Sequence, residues 1–236
     1  MINPSRVIPV IGFVILWIAS LPYSMAMDNV LSPSEKEQGW QLLFNGKDMS
    51  NWRNFKNQDL NENWVLKNGI MHLNQAGGGD IITKKIYENF ILKLEWKISE
   101  AGNSGIFIMA NELGNYIYSS APEIQILDNE RHSDNKIASH LSGSIFDIIA
   151  SPETSHKLAG EWNKVKIYLH NRHLKVWQNG VQTADIVIGS DKWNKLIKQS
   201  KFKDWQGFAE TSIGHIGFQD HGDPVSFKNI KILVLE

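Results

Sequence analysis

Short runs of alternating apolar and polar residues, separated by Gly, Asn, Asp and Pro, constrain the fold of this chain more than any other feature. In Ile91 to Ser99, leucine, tryptophan and isoleucine alternate with lysine and glutamate. A period of two residues is that of a strand with one buried face. Val165 to Leu169 and Leu174 to Gln178 read as two further strands, joined by four residues. Asn179-Gly180 after them predicts a hairpin turn.

The rest of the chain follows the same pattern. Val225 to Leu235 alternates again, with an irregularity at Asn229, and only Asp191 to Ser200 has helical spacing. Many antiparallel strands with almost no helix favour two packed sheets over βαβ units. The sequence therefore predicts an all-β, jelly-roll β-sandwich in a single domain that spans residues 27 to 236.

The first 26 residues read as a secretory signal peptide. Arg6 gives a positive start, Val7 to Leu21 is almost wholly apolar, and Ser24-Met25-Ala26 suits cleavage before Met27. The alternative is an uncleaved membrane anchor, but an apolar stretch of about 15 residues is short of the roughly 20 needed to span a bilayer. We expect a periplasmic or secreted mature chain without an integral membrane span.

Charge and cysteine content narrow the class of protein further. The chain has no cysteine, so it can form no disulfide and carry no lipid on a processed cysteine, and its core must supply its stability. The net charge is −1, and the lysines and arginines are scattered rather than clustered. Because nucleic-acid binding needs a concentrated basic surface, we expect no nucleic-acid partner.

Two polar segments suggest a ligand site on a sheet. Gly102 to Gly105 either forms a strand-entry turn or brings backbone N–H groups up to a ligand. In Pro122 to Asn129, alternation puts Glu123 and Gln125 on one face, about 7 Å apart, and two isoleucines on the other. A carboxylate beside an amide suits a sugar, since the pair both donates to and accepts from hydroxyls. A solvated outer face is the alternative.

Two further segments carry histidines beside carboxylates. His132 with Asp128 or Asp134 could bind a metal or act as an acid or base, although no spacing here matches a zinc motif. Asp220-His221 could be a base with its orienting partner, or an Asx-type turn. No nucleotide-binding loop and no nucleophile motif is visible. We therefore expect no organic cofactor, and a divalent metal stays possible.

Several strings in register across nearly all of the mature chain resemble one family. It is the concanavalin A-like domain once catalogued as domain of unknown function 1080 and now described as a 3-keto-disaccharide hydrolase, or 3-keto-glucoside 1,2-lyase and 3-keto-2-hydroxyglucal hydratase. The matching pieces are Trp40 to Trp52, Gly79 to Thr83, Leu94 to Phe107, Pro122 to Asn129, Gly160 to Asn163, Val176 to Gly180 and Gly214 to Pro224.

The resemblance implies β-elimination on a 3-keto-glycoside. The C3 ketone acidifies the C2 proton, a base removes it, the enolate is stabilised, and the aglycone leaves from C1; water can then add to the 2-hydroxy-3-keto-glucal. The expected base and acid come from four residues, Glu123, Asp128, Asp220 and His221. The expected substrate-binding residues are Asn103, Ser104, Gln125, Lys201 and Gln219.

One position departs from the family pattern. Where relatives usually read Leu-Tyr-Asp, this chain has Ile145-Phe146-Asp147. Phenylalanine lacks the phenol hydroxyl of tyrosine. If that hydroxyl transfers protons in relatives, this chain would lack that function; if the tyrosine only packs, phenylalanine can replace it.

Two other classes of carbohydrate-binding protein compete with the lyase. A two-carboxylate glycosidase needs carboxyls about 5 to 9.5 Å apart, and Glu95 with Glu123 would serve if their strands were neighbours. A non-catalytic carbohydrate-binding module would use tryptophan stacking on the same face, without a perturbed acid.

Overall fold

The computed structural model describes residues 27–236, so the predicted signal peptide and its cleavage site lie outside the described residues. The strands are β1 Gln41–Leu42, β2 Trp52–Asn54, β3 Trp64–Lys67, β4 Ile70–Leu73, β5 Ile81–Thr83, β6 Phe90–Ile98, β7 Asn103–Ala110, β8 Glu123–Leu127, β9 Asn163–His170, β10 His173–Gln178, β11 Val181–Val187, β12 His215–Phe218 and β13 Val225–Val234. The helices are α1 Pro33–Glu37 and α2 Asp191–Ile197, and 3-10 turns are formed by Ile117–Ser119, Ala138–His140, Glu153–Ser155 and Lys201–Asp204.

The strands form two antiparallel sheets. The large sheet has the order β11-β10-β9-β6-β13-β4-β3, with β1 also paired to β13, and the small sheet has the order β2-β5-β12-β7-β8. The two sheets pack face to face, which confirms the predicted all-β sandwich of the jelly-roll type.

Aromatic side chains join the two sheets across the core. Phe218 of the small sheet stacks on Trp52, with 4.7 Å between ring centroids, and on Phe227 of the large sheet, with 3.9 Å. Alternate residues of β6 from Phe90 to Ile98 point into this core and are buried. Offset aromatic stacking adds about 0.5–1.5 kcal/mol per pair beyond the burial of apolar area.

The turn between β9 and β10 of the large sheet is shorter than the sequence predicts. The turn between β9 and β10 is two residues long, Asn171 and Arg172, rather than the four predicted, because both adopt positive φ angles of 49° and 63°. Two positive φ angles make the tight turn whose twist matches that of the strands. The Asn179-Gly180 turn is confirmed, with φ angles of 50° and 87°.

Three connections fold over the outer face of the small sheet, which is the face turned away from the core. They are residues 111–122 between β7 and β8, residues 128–162 between β8 and β9, and residues 198–214 between α2 and β12. Residues 143–146 also hydrogen-bond to the free edge of β8, with the Phe146 N–H donating to the Glu123 carbonyl at 2.9 Å. Polar strand residues are thereby enclosed under loops. Among residues 27–236, no helix has the length and apolar character needed to cross a membrane.

Candidate active site

Three side-chain positions lie side by side on the outer face of the small sheet. Gly105 of β7 is directly opposite Gln125 of β8, and the N–H of Gln219 donates to the Gly105 carbonyl at 3.0 Å. Gln125 and Glu123 point to this face, whereas Ile124 joins the core cluster. The structure therefore bears out the alternation that the sequence predicted for β8.

Gly105 makes room for the Glu123 carboxyl group. A Cβ atom on residue 105 would lie 2.1 Å from Oε1 of Glu123 and 2.7 Å from its Cγ and Cδ. Only glycine leaves this space, and the φ angle of Gly105 is not in the left-handed region. The second glycine of the Gly102 to Gly105 segment therefore has a steric role on a strand, and only Gly102 belongs to a turn.

We expect Gly105→Ala to displace the Glu123 carboxyl group. The added methyl should cost about 1–3 kcal/mol of stability through overpacking, and turnover should fall at least about tenfold because small displacements at a reacting centre are costly. Ser104→Ala is the matched control, since the buried Ser104 hydroxyl donates to the Gln219 carbonyl at 2.8 Å from the opposite side of the strand. Steady-state kinetics and thermal melts of both variants check this, and unchanged turnover in a folded Gly105→Ala variant would contradict it.

Amide oxygens around Gly105 lack hydrogen-bond partners. Oε1 of Gln125 and Oε1 of Gln219 are buried and unbonded among the described residues, although the Gln125 amide nitrogen donates to Oδ1 of Asn103 at 3.1 Å. A buried acceptor without a partner costs about 1–3 kcal/mol, so these oxygens favour a ligand that brings hydroxyl donors. The three predicted substrate-binding residues are thus brought together.

Lys201 also reaches this face. Its ammonium lies over the ring of Phe146, 4.1 Å from the centroid, with Phe202 at 5.1 Å and Trp205 at 5.8 Å. Aromatic faces attract a cation and at the same time exclude water from it. Lys201 comes from a distant connection, so the packing of the loops, rather than local sequence, places it here.

Burial perturbs both charged groups. It raises the pKa of Glu123 to about 8; the Lys201 ammonium acts against this rise, and Asp80 and Asp134 add to it. Burial also lowers the pKa of Lys201, against the pull of Glu123, Asp147 and Asp134. No hydrogen bond within residues 27–236 contributes to either pKa. Glu123 is therefore an unusually basic carboxylate within the electrostatic influence of Lys201, and such a perturbed carboxyl group is typical of reactive sites. Lys201 itself remains exposed to solvent.

A histidine between two aspartates supports Lys201. Nδ1 of His140 is 2.9 Å from Oδ1 of Asp134, and Nε2 is 3.1 Å from Oδ1 of Asp147, whose other oxygen accepts from the backbone N–H of Lys201 at 2.6 Å. The His140 ring stacks on Phe146 with centroids 4.3 Å apart. Phe146 is thus packed against both His140 and Lys201, so its ring has a packing role in this chain.

Asp80 is a second perturbed carboxyl near Glu123. Burial raises its pKa to about 6, and the charge of Asp220 adds to the rise while the Asp220 N–H, a donor to Asp80 at 3.0 Å, opposes it. Sequence alone offers no reason to single out Asp80, because only the pairing of β5 with β12 brings it beside Asp220.

Two predicted residues lie apart from this group. The Asp128 carboxylate accepts from the N–H groups of Ala101 and Glu130, at 2.7 and 3.2 Å, and contacts Arg131, so it caps a turn. Ser104 is on the core side of β7. A catalytic role for Asp128 and a substrate-binding role for Ser104 remain predictions that this geometry does not favour.

In the Asp220-His221 turn, the Asp220 carboxylate accepts hydrogen bonds from the backbone. Asp220 accepts from the N–H groups of Gly79 and Gly222, at 2.8 and 2.9 Å, and His221 is exposed. This is the Asx-type turn of the two predicted alternatives. Their predicted roles as acid and base stay untested.

One group of side chains could hold a metal ion. Potential ligand atoms of His132, His221 and Asp223 lie within 4.8 Å of one another. However, Nδ1 of His132 accepts the Asp134 N–H at 3.0 Å, so a neutral ring carries its proton on Nε2, where a metal would otherwise bind. The fit is incomplete, and no reaction step is assigned to a metal here.

Glu95 cannot form a two-carboxylate site with Glu123. Glu95 lies on the outer face of β6 in the large sheet, where it contacts Lys228 at 3.9 Å, and Glu123 lies on the outer face of the small sheet. The whole sandwich separates them, because stacked sheets are already about 10 Å apart. The glycosidase built on this pair is therefore excluded.

Aromatic side chains border the site. Tyr116 and Tyr118 stack with 5.0 Å between centroids, and Tyr118 lies 6.0 Å from Trp205. Their connection is held by Glu112, which receives two 2.8 Å hydrogen bonds from Arg53. Exposed aromatic faces next to polar strand residues suit the apolar face of a sugar ring.

A carboxylate, unpartnered amide oxygens and aromatic rings on one face of a β-sandwich can bind both the hydroxyls and the apolar face of a sugar. Residues 39–233 match the model of the 3-keto-alpha-glucoside-1,2-lyase-like domain family. The chain belongs to this family, and the resemblance noted from the sequence is confirmed.

Individual relatives agree with this assignment. A 3-keto-disaccharide hydrolase of Bacteroides thetaiotaomicron is 34% identical, over 89% of this chain and 83% of the relative. A crystal structure of a candidate glycosyl hydrolase from Parabacteroides distasonis superposes with a TM-score of 0.83 at 30% identity, over 89% of this chain and all of the other; a second from that species has a TM-score of 0.67 at 27% identity, over 83% and 99%. The expectation of a carbohydrate-acting enzyme is thereby confirmed at the level of the family.

Proposed function

We propose that this chain cleaves 3-keto-glycosides by elimination across C1 and C2, followed by addition of water. The observation that carries the proposal is the Glu123 carboxyl group, which is buried, raised in pKa to about 8 and influenced by the charge of Lys201. A carboxylate of ordinary pKa is a weak base toward carbon, and a higher pKa makes it a stronger one.

In the first step, the Glu123 carboxylate takes the C2 proton of the bound 3-keto sugar. The electron pair of the C2–H bond moves toward the C3 ketone, and the negative charge on that oxygen is stabilised by the Lys201 ammonium. A fixed cation in a site with little water stabilises such a charge more than it would in bulk solvent.

In the second step, the C1–O bond breaks and the aglycone oxygen takes up a proton. Asp80 is the candidate donor, because its raised pKa of about 6 leaves part of it protonated near neutral pH and its charge acts on Glu123. The products are the free aglycone alcohol and a 2-hydroxy-3-keto-glucal. Water then adds to the glucal, its hydroxyl to C1 and a proton to C2, which gives 3-keto-glucose and makes the net reaction a hydrolysis.

The side-chain amide oxygens without a hydrogen-bond partner would bind the sugar. Gln125 and Gln219 would accept hydrogen bonds from sugar hydroxyls, and Asn103 would hold the Gln125 amide in place. A hydroxyl donor supplied by the sugar removes the cost of leaving these oxygens unbonded.

The ketone requirement tests this function directly. Incubation with 3-keto-trehalose, 3-keto-glucosides and their unoxidised parents should release aglycone from the oxidised compounds alone, since only the ketone acidifies the C2 proton. Each reaction is run with and without a chelator to measure the metal requirement. Comparable turnover of an unoxidised glucoside would contradict the proposal.

A carbohydrate-binding module is the other class considered. Such a module needs aromatic stacking and hydrogen bonds but no basic carboxylate in a desolvated place. The pKa of Glu123 therefore favours the enzyme, and binding of sugar without turnover of any oxidised substrate would favour the module.

A further inference from the structure

A row of lysines crosses the outer face of the large sheet, on the side of the sandwich opposite Glu123. Lys231 of β13 is directly opposite Lys93 of β6, and Lys93 is directly opposite Lys166 of β9. The same row continues to Trp177 of β10, which is opposite Lys166. All four residues line one groove of about 910 Å³.

This arrangement is unfavourable for the protein alone. Like charges directly opposite each other on neighbouring strands destabilise a sheet. Burial lowers the pKa of Lys93, and the charges of Lys231 and, more weakly, Lys166 lower it further, while Glu35 opposes with an effect between those two. An anionic ligand between the lysines would relieve their repulsion.

The nearby carboxylates are already engaged. Asp28 and Glu95 contact Lys228, and Glu35 forms an ion pair with Lys231. Among residues 27–236, these and the other ion pairs leave Lys93, Lys164 and Lys166 without a carboxylate within 4.0 Å, and all three line the groove. The lining holds four lysines against three carboxylates, and Lys228 beside it adds a fifth positive charge, so the groove carries a small net positive charge. Glu95 is directly opposite Lys164, which leaves Lys93 and Lys166 at the centre of this charge.

Tryptophans fix the positions of two of these lysines. The Lys93 ammonium lies 4.4 Å from the ring centroid of Trp40, and the Lys166 ammonium lies 4.1 Å from that of Trp177. Each such contact contributes about 0.5–1 kcal/mol at a surface. The cations are thus held in place beside an aromatic wall, and the groove is within the size range of ligand sites, about 300–1,000 Å³.

We propose that this groove is a second saccharide site, which binds an acidic oligosaccharide through Lys93, Lys164 and Lys166, with Trp177 holding Lys166 in position. Charge complementarity favours an acidic oligosaccharide, because its carboxylates or sulfates would pair with lysines that have no carboxylate of residues 27–236 within 4.0 Å. The site is separate from the Glu123 face, so it would hold the enzyme on an acidic glycan without taking part in cleavage.

Calorimetric titration of the full mature chain tests the site. The probes are a galacturonic acid hexasaccharide, a heparin hexasaccharide and maltohexaose as the neutral compound. We expect at least one acidic probe to bind at least tenfold more tightly than maltohexaose at 50 mM salt, and to weaken as salt is raised. The two acidic probes separate carboxylate from sulfate recognition. Failure of both to bind, or equal affinity for the neutral probe, would overturn the proposal.

Variants distinguish a built site from general attraction to a basic protein. Lys93→Gln combined with Lys166→Gln should weaken acidic binding at least tenfold while turnover of a small 3-keto-glucoside stays unchanged. The stability of the double variant should change little, because the loss of two lysine–tryptophan contacts offsets the removal of like charges that face each other. Lys175→Gln is the matched control, on the same face but paired with Asp185 at 3.4 Å. Equal loss of binding in the control would overturn the proposal.

Discussion

Glu123→Gln should lower turnover roughly 10²-fold or more while the protein stays folded. Glutamine keeps the shape and hydrogen-bonding capacity of the side chain above Gly105, but it cannot accept the C2 proton. Glu37→Gln, an exposed change on α1 beside the outer face of the large sheet, is the matched control and should leave turnover unchanged. Single-turnover kinetics with a 3-keto-glucoside measure the effect, and near-normal turnover would exclude Glu123 as base.

At alkaline pH, Glu123→Gln should be more stable than the parent protein. The pKa of Glu123 is raised from 4.5 to about 8 in the folded state. A raised folded pKa means that its contribution to stability is full below about pH 4.5 and is lost as pH rises to 8, by about 1.4 kcal/mol per pH unit. Glutamine does not ionise and loses nothing. Thermal melts should therefore give Glu123→Gln a higher melting temperature than the parent at pH 8.5 but not at pH 5. If Glu123 had a purely structural role, the variant would be less stable than the parent at both pH values.

Lys201→Met should lower kcat/KM by roughly 10²–10³, the range found when a group that stabilises a developing oxyanion is removed. Methionine fills the aromatic surroundings of Phe146, Phe202 and Trp205 without a charge. The matched control is Lys203→Met, on the same short 3-10 turn, because within the described residues Lys203 has none of the aromatic contacts that surround the Lys201 ammonium. Equal losses in the two variants would contradict a role for the Lys201 charge.

The pH profile separates the two groups. When removal of the C2 proton limits kcat/KM, the later proton donation by Asp80 does not enter, so kcat/KM of the parent enzyme should rise with pH toward about 8, as Glu123 loses its proton, and fall at higher pH as Lys201 loses its own. Lys201→Met removes a charge that lowers the pKa of Glu123, so the rising limb should move to higher pH and the falling limb should vanish. A profile unchanged in shape would show that Lys201 acts only in packing.

The sequence could predict what depends on strand alternation. The sandwich, the β6 pattern and the shared face of Glu123 and Gln125 all follow from a period of two residues, which needs no knowledge of strand pairing. Alternation alone could not predict the role of Gly105. A glycine is required there by the Glu123 carboxyl group of the neighbouring strand, and only the register of β7 and β8 reveals that contact.

Loop packing explains the remaining differences. The surroundings of Lys201 combine Phe146 with Trp205, and the support from Asp134, His140 and Asp147 arises from one long connection folded back on itself. Conversely, Asp128 and Asp220 looked reactive beside histidines, but turns use acidic side chains to accept backbone N–H groups. Short-range sequence cannot distinguish a capping aspartate from a catalytic one.

Incorporation of deuterium at C2 tests the proposed elimination most directly. The reaction of 3-keto-trehalose is followed by NMR in D₂O, with enzyme-free and Glu123→Gln samples as controls for spontaneous exchange. Removal of the C2 proton and later hydration of the glucal predict 3-keto-glucose that carries solvent deuterium at C2, formed far faster with the parent enzyme than in either control. Rapid formation of 3-keto-glucose that keeps its original C2 proton, together with an unchanged rate for substrate deuterated at C2, would contradict the mechanism, because direct displacement at C1 never breaks the C2–H bond.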